Sequence, residues 1–228
     1  METDLPQHLA IIPDGNRRWS KLHGVPALEG HRRGAEAMHN VVEYLNGHRV
    51  KCLTLWGFST DNWKRSQDEV SSLFQLLAVW IDKDSLWAHS QGIRLRHLGR
   101  LHELPEALRE AITRAVTLTQ NNSGMTFNIA FNYTGRAEIV DAVNRLLDEN
   151  AQHIDEEVFN RYLYTDRMPD VDLVIRTAGE FRLSNFMLWQ TAYSEYYFTD
   201  TLWPDFSVEE LEKALQVYSE RLRPFGGD

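Results

Sequence analysis

The stretch His8-Leu-Ala-Ile-Ile-Pro-Asp-Gly-Asn-Arg-Arg-Trp19 decides how the fold of this chain is interpreted. A short apolar run ends at an acid, Asp14, and a glycine, an asparagine and two arginines follow. The pattern predicts a buried strand that ends in a turn opening a helix. Helix N-termini attract anions, and arginine binds phosphate oxygens in pairs. The stretch therefore predicts either a carboxylate and a phosphate sharing a divalent cation or a strand–turn–helix with a solvated basic face.

Apolar runs alternate with helical patterns along the rest of the chain. This alternation predicts an α/β fold with a central, mostly parallel sheet of about six strands flanked by helices. No repeat or flexible linker interrupts it, so we expect one domain, residues 1–228. Ligands of such folds bind at the carboxyl ends of strands. The predicted strands are residues 9–13, 51–58, 93–98, 126–131, 171–175 and 196–199, and the predicted helices are residues 31–47, 69–90, 105–121, 137–150 and 207–222.

Composition narrows the classes of partner. The net charge of −9 argues against nucleic acid as the main partner, although local arginines can still bind a small anion. No segment holds the roughly 18 consecutive apolar residues that a membrane helix needs, and we expect no secretory signal. The single cysteine, Cys52, excludes an internal disulfide and fits a reducing cytoplasm. We therefore expect a cytoplasmic protein.

Basic pairs are candidate binders of a small anion at three places: Arg17/Arg18, Arg32/Arg33 and Lys64/Arg65. Each pair can instead lie on a solvated face, and for Arg32/Arg33 we favour that alternative. Arginine is suited to anion binding because its planar guanidinium group can donate two hydrogen bonds to phosphate oxygens.

Three further segments place polar residues after predicted strands. Residues 57–65 suit a loop that closes over a ligand, or a surface loop with Trp63 tucked into the core. Residues 171–186 carry two arginines and a serine beyond a strand, which indicates a second anion site or a salt-bridged loop. In residues 189–200, Glu195 begins a β-prone run and becomes a metal-ligand candidate only if the fold brings it near Asp14.

Taken together, these segments resemble the cis-prenyltransferases, the undecaprenyl diphosphate synthase family. The resemblance extends from His8 to Phe225, and several long motifs in fixed order are far more specific than any one of them. The motifs are Asp14-Gly-Asn-Arg-Arg-Trp19, Gly30-His-Arg-Arg-Gly34, Phe58-Ser-Thr-Asp-Asn-Trp63, Asn132-Tyr-Thr-Gly-Arg136, Arg176-Thr-Ala-Gly-Glu-Phe-Arg182, Ser184-Asn-Phe186 and Leu202-Trp-Pro-Asp-Phe206.

The resemblance implies a fold, a reaction and residue roles. It implies an apolar tunnel, a homodimer and Mg²⁺-dependent condensation of an allylic diphosphate with isopentenyl diphosphate. Asp14 and Glu195 are the implied metal ligands, and the implied catalytic residues are Asp14, His31, Ser59, Asp61 and Asn62. The implied substrate-binding residues are Gly15, Asn16, Arg17, Arg18, Trp19, Phe58, Trp63, Arg65, Arg176, Arg182 and Ser184.

Departures from the family pattern bear on the product. Ala27 stands where an arginine is usual, Asp61 replaces a glutamate, Phe181 replaces a polar residue, and Ala178 replaces glycine or serine. We interpret these as favouring a short-chain, irregular enzyme of the lavandulyl-type branch. Such an enzyme joins dimethylallyl diphosphate head-to-middle into a skeleton that can also cyclise.

The alternative is a regular Z-polyprenyl diphosphate synthase that adds isopentenyl diphosphate. Phe74 and Leu77 could close the floor of a tunnel, which would favour short products, or they could simply pack in the core. A third hypothesis, a non-catalytic scaffold, is disfavoured because such relatives lose the acid and the arginine motifs that this chain keeps.

Overall fold

The structure, a computed structural model, describes residues 5–64 and 66–221. Within them, six strands form one sheet; in chain order they are β1 (His8–Ile12), β2 (Cys52–Ser59), β3 (Arg94–Leu98), β4 (Thr126–Tyr133), β5 (Leu173–Arg176) and β6 (Glu195–Phe198). Their order in the sheet is β3-β4-β2-β1-β5-β6. The β1–β2, β1–β5, β3–β4 and β5–β6 pairs are parallel. The predicted α/β fold is confirmed.

Seven α-helices connect these strands within the described residues. The predicted helices are present with small shifts of their ends, and one short helix, α6, is additional. They are α1 (Asn16–Leu22), α2 (Ala27–Gly47), α3 (Gln67–Ser90), α4 (Glu106–Thr119), α5 (Gly135–Asp148), α6 (Glu156–Tyr162) and α7 (Val208–Glu220).

The chain forms two compact units. Among the described residues, the first contains residues 5–55, Asp170–Arg182 and residues 190–221. The second contains Trp56–Pro169 and Leu183–Trp189.

In the first unit, β1 lies between β2 and β5 and is buried at every position. A strand with neighbours on both sides and both faces covered reads as a continuous apolar run, which is why residues 9–12 contain only leucine, alanine and isoleucine. The register pairs Ile12 with Arg176, so β1 and β5 end side by side. Residues that follow these two strands are therefore neighbours, although about 160 positions separate them in sequence.

Two glycines of α2 allow α1 to approach closely. A Cβ at Gly30 would lie 2.3 Å from the Asn16 carbonyl oxygen, and one at Gly34 would lie 2.4 Å from Asn16 Oδ1. The Gly30 N–H also donates to Ser20 Oγ at 3.0 Å, and Trp203 Nε1 donates to the Gly34 carbonyl at 2.9 Å. The Gly30-His-Arg-Arg-Gly34 motif therefore fixes the position of α1.

The core of the second unit is aromatic. Phe58, Phe74 and Phe131 are buried against one another, with ring centroids 5.1 to 5.7 Å apart. Leu77 on α3 is partly buried against this cluster. Phe74 is thus a core residue, as the plainer of the two interpretations has it.

Among the described residues, no helix combines the length and apolarity that crossing a membrane requires.

Candidate active site

The backbone of Asp14, just beyond β1, is held on both sides. The Asp14 N–H donates to Thr177 Oγ1 at 2.8 Å, and Thr177 Oγ1 donates to the Asp14 carbonyl at 2.7 Å. The Trp203 N–H donates to the same carbonyl at 3.0 Å. The acid therefore stands at a fixed point at the carboxyl end of β1.

Two guanidinium groups face the Asp14 carboxylate. Arg176 Nη2 donates to Oδ2 at 3.0 Å, and Arg18 Nη2 lies 3.8 Å from Oδ1. The Arg176 side chain is 4% exposed, whereas that of Asp14 is 36% exposed. A buried cation beside a carboxylate that remains open to solvent can bind an anion without first ordering its own side chain.

Three arginines and two acids around the Asp14 turn form a closed ring. Arg176 donates to the Arg182 carbonyl, and the Arg182 side chain pairs with Glu180. Glu180 in turn contacts Arg18 at 3.3 Å, and Arg18 returns to Asp14. The structure thus brings together four of the predicted charged groups and adds Glu180 as the counter-ion between Arg18 and Arg182.

Gly15 makes the turn from β1 into α1 possible. Its φ of +112° is a conformation that residues with a Cβ rarely adopt, and a Cβ there would lie 3.0 to 3.1 Å from Leu202. α1 begins at the next residue, Asn16, so the predicted helix after the turn is present. The first N–H groups of any helix lack intrahelical acceptors, so this turn can present Gly15, Asn16 and Arg17 to an anion.

Two further predicted residues of the first unit, Trp19 and His31, lie at packing contacts. Trp19 stacks on His23 and donates from Nε1 to Asp205 Oδ1 at 2.8 Å. His31 is half-buried on α2, next to Gly30 at the close contact with α1.

The pair Arg32/Arg33 lies on an exposed face of α2. Arg32 pairs with Glu29 and Glu36, and Arg33 pairs with Glu36. These spacings of three and four residues are the ion pairs expected along a solvated helix. The preference for a solvated face at this pair is confirmed.

Glu195 is not near Asp14. The register pairs Glu195 with Leu173, whereas Asp14 lies beside Thr177, four residues further along. At ~3.3 Å per residue, the two acids are about 13 Å apart along the strands. Glu195 pairs instead with Arg221. The prediction that one chain's Asp14 and Glu195 share a metal is wrong, because the sequence does not reveal strand register.

Asp14 by itself suits Mg²⁺. Within residues 5–64 and 66–221, no three His, Cys, Asp or Glu side chains form a metal-binding group. Mg²⁺ commonly takes only one or two carboxylates and completes its shell with water and substrate phosphates. One partly exposed carboxylate beside arginines fits that requirement.

In the second unit, the predicted loop after β2 forms a 3₁₀ helix, Thr60–Lys64. Asn62 Oδ1 accepts from the Ser59 N–H at 3.0 Å, and Ser59 Oγ accepts from the Asp61 N–H at 3.1 Å. The Asp61 carboxylate is exposed and pairs with Lys64 at 2.8 Å. Predicted residue Arg65 lies outside the described residues.

Trp63 anchors this loop. Its ring packs edge-on against Phe58 and Phe74, and Nε1 donates to Asn132 Oδ1 at 2.7 Å. The side chain remains 40% exposed. Trp63 is therefore partly tucked into the core, and closure of this loop over a ligand stays a prediction.

Asn132 is a hub that the sequence analysis did not select as a site residue. It is fully buried, and Nδ2 donates to Glu103 Oε2 at 2.8 Å and to the Arg100 carbonyl at 3.1 Å. Arg100 binds Asp141 through two hydrogen bonds of 2.8 Å. Burial alone would raise the pKa of Asp141, but hydrogen bonds from Arg100 and Tyr164 lower it below its usual value. Through Asn132, this hydrogen-bond network connects the Trp63 loop to the charged groups of Glu103, Arg100 and Asp141.

Ser184 belongs to the second unit, in a tight loop. Ser184, Asn185 and Met187 all have positive φ. Asn185 accepts from the Gly135 N–H at 2.7 Å through its carbonyl and from the Arg136 N–H at 2.9 Å through Oδ1. The loop is thereby fixed to the first turn of α5.

The departures from the family pattern have distinct surroundings. Ala27 is exposed at the start of α2, and Ala178 is buried with a φ of +73°. Phe181 is 75% exposed, and its ring centroid lies 5.3 Å from that of Phe198. A large apolar ring therefore faces outward between Glu180 and Arg182.

The family model described as putative undecaprenyl diphosphate synthase matches residues 12–226. An isoprenyl transferase of Fusobacterium nucleatum is 50% identical over 227 residues, which cover 100% of this chain and 98% of that protein. A (2E,6E)-farnesyl-diphosphate-specific ditrans,polycis-undecaprenyl-diphosphate synthase of Photorhabdus laumondii is 44% identical over 98% of this chain and 90% of its own length.

Solved structures are also similar to this chain, and one of them contains a bound ligand. It is lavandulyl diphosphate synthase from Lavandula x intermedia in complex with dimethylallyl diphosphate. The TM-score is 0.93 and the identity 39%, over 97% of this chain and 98% of that one.

Proposed function

The chain belongs to the undecaprenyl diphosphate synthase family of prenyltransferases, and from this premise we propose that it is a regular Z-polyprenyl diphosphate synthase that adds isopentenyl diphosphate to an allylic diphosphate. The observation that carries the diphosphate site of this proposal is the Asp14 carboxylate, held 3.0 Å from the nearly buried Arg176 and 3.8 Å from Arg18. This arrangement suits a departing diphosphate better than a merely structural ion pair.

Regular elongation replaces our first preference, the head-to-middle reaction. The two relatives described above are named isoprenyl transferase and undecaprenyl-diphosphate synthase, at 50% and 44% identity. The lavandulyl enzyme is 39% identical. The departures at Ala27, Asp61 and Phe181 are thus better treated as variations within elongating enzymes.

We assign the diphosphate to the Asp14 turn. Gly15, Asn16, Arg17 and Arg18 would cradle the allylic diphosphate, and Arg176 and Arg182 would hold that of isopentenyl diphosphate. Guanidinium groups fixed before the reaction stabilise charge that builds on a leaving diphosphate, and they need no reorganisation at that moment. Mg²⁺, when bound at Asp14, supplies further charge stabilisation and orients the diphosphate.

The allylic cation must be kept from water, and apolar walls serve this purpose. We propose that an apolar tunnel lies in the second unit. Its walls would come from partly buried apolar residues of α3 and α4 that pack against the aromatic core; they include Leu73, Leu77, Ile81 and Val116. Ser59, Asp61, Asn62 and Ser184 remain proposed substrate-handling residues. A homodimer, a cytoplasmic location and a single domain complete the proposal.

Product analysis tests the proposed reaction. Purified protein with Mg²⁺ would receive farnesyl diphosphate plus isopentenyl diphosphate, or dimethylallyl diphosphate alone, and mass spectrometry would identify the products. We expect stepwise C5 growth in the first mixture and no condensation product in the second. A C10 product from dimethylallyl diphosphate alone, without growth in the first mixture, would overturn the proposal. Asp14→Asn protein serves as the control without turnover.

The second candidate is the head-to-middle reaction, and one observation favours it. The TM-score of 0.93 to the lavandulyl enzyme shows that the two backbones differ little. The incubation with dimethylallyl diphosphate alone, described above, would detect this reaction.

A further inference from the structure

A single hydroxyl group holds both backbone polar groups of Asp14. Thr177 is fully buried directly after β5. Its Oγ1 accepts from the Asp14 N–H at 2.8 Å and donates to the Asp14 carbonyl at 2.7 Å. A hydroxyl has one proton to donate and lone pairs to accept, so Asp14 engages both capacities.

The N–H and C=O bonds together restrain the backbone dihedrals of Asp14, which set the direction of its Cα–Cβ bond. The Asp14 carbonyl has a second donor, the Trp203 N–H at 3.0 Å. The Asp14 N–H likewise has a second acceptor, the Ile12 carbonyl at 3.0 Å. Loss of the Thr177 hydroxyl would therefore leave neither group unpaired, but it would remove the one side chain that restrains both groups together.

Arg176, the residue before Thr177, holds the side chain of Asp14. Arg176 contacts the carboxylate at 3.0 Å, and its own guanidinium donates to the Arg182 carbonyl. Consecutive residues of β5 and its end thus hold the carboxylate and the backbone of one acid. A rotation of the Asp14 backbone would move its carboxylate away from both Arg176 and Arg18.

We propose that Thr177 is a positioning residue for the prenyl transfer: its hydroxyl orients Asp14 so that the carboxylate meets the diphosphate and its cation. This inference rests on the proposed function, because it requires Asp14 to act at the diphosphate. Thr177 does not touch substrate; it acts through Asp14.

Three variants test the role of the hydroxyl. Thr177→Val keeps the branched shape without the hydroxyl, Thr177→Ser keeps the hydroxyl without the methyl group, and Thr177→Ala replaces the valine variant if that protein does not fold. The measurements are kcat, KM for isopentenyl diphosphate, melting temperature, and binding of inorganic pyrophosphate by calorimetry. Pyrophosphate is the probe because it reports on the proposed arginine site without requiring turnover.

We expect Thr177→Val to lower kcat by about tenfold or more, with KM and pyrophosphate binding within about threefold of the wild type. We expect Thr177→Ser to retain most of kcat, since the hydroxyl is restored. Wild-type kcat in the valine variant alongside a lower melting temperature would show a purely structural role and overturn the inference. An equal loss of kcat in the serine variant, or a matching loss of pyrophosphate binding, would overturn it as well.

Asp14→Asn, assayed in parallel, separates this inference from the proposed function. If Asp14→Asn loses turnover while Thr177→Val keeps it, only the role of Thr177 fails. If Asp14→Asn itself keeps wild-type turnover, the proposed function fails first.

Discussion

At the scale of single residues, burial changes the protonation behaviour of His97 on β3. Its Nε2–H donates to the Phe131 carbonyl at 2.9 Å. Burial lowers the pKa of His97 to about 4 from its ordinary value of 6.5, and the Phe131 hydrogen bond offsets part of this effect. The folded protein therefore keeps this imidazole neutral in a pH range where the unfolded chain protonates it.

The stability of the protein should fall as the pH drops from 6.5 towards 4. Below pH 6.5 the unfolded chain gains a proton at residue 97 that the folded chain does not, so unfolding is favoured by up to about 3 kcal/mol. Chemical denaturation at pH 7.5, 6 and 5 measures this slope. His97→Gln should show a smaller slope over the same range, and an unchanged slope would show that other groups cause it.

The sequence identified several single residues of the site for a physical reason. Asp14 and Arg176 are charged residues directly after apolar strands, where α/β folds place ligands. Thr177 could not be identified, because a buried hydroxyl next to an arginine leaves no charge or periodicity signal. Glu195 was misplaced because residue type does not encode register, and a shift of four positions moves a side chain by about 13 Å.

At the scale of elements, the contact between α1 and α2 controls the site. Gly30 lies against the Asn16 carbonyl and Ser20 Oγ at distances that leave no room for a Cβ. Because Asn16 opens α1, a shift there moves the turn that carries Asp14. Gly47, at the end of the same helix, has no neighbouring atom within 4 Å of a Cβ and offers a matched position.

Gly30→Ala should destabilise the protein by about 2 kcal/mol or more and lower turnover, because the added methyl group meets a backbone carbonyl. Gly47→Ala should raise stability by up to about 1 kcal/mol and leave turnover unchanged, since alanine favours the helix. Denaturation curves and turnover rates of the two proteins check this. Equal stability of the two variants would contradict the close packing of α1 on α2.

The long elements were predictable because hydrophobic periodicity is strong over many residues. The helix α6 was not, since seven residues carry too few apolar positions to show a period. One local signal was available: Asp155 caps α6 by accepting from the Val158 N–H at 2.8 Å, and two glutamates follow it. Such a capping pattern marks the start of a helix that periodicity alone misses.

At the scale of the whole molecule, the order of the strands places residues that are distant in sequence at one site. β1 and β5 are about 160 residues apart in the chain but adjacent and parallel in the sheet. Their carboxyl ends bring Asp14, Arg176 and Thr177 together. The sequence predicts that residues after several strands lie close together, because the strands of a parallel sheet end at the same edge. Only the order of the strands in the sheet shows which of these residues are neighbours.

The role of Asp14 is the central claim, and the turnover rate of Asp14→Asn tests it most directly. Asparagine has nearly the same shape and can still accept from Arg176, so the change removes the negative charge with little loss of packing. Asp148→Asn, at the exposed end of α5, is the matched control and should leave turnover unchanged. We predict that kcat of Asp14→Asn with farnesyl and isopentenyl diphosphates falls at least ~100-fold while the melting temperature stays close to that of the wild type. A folded Asp14→Asn protein with kcat near that of the wild type would contradict the account.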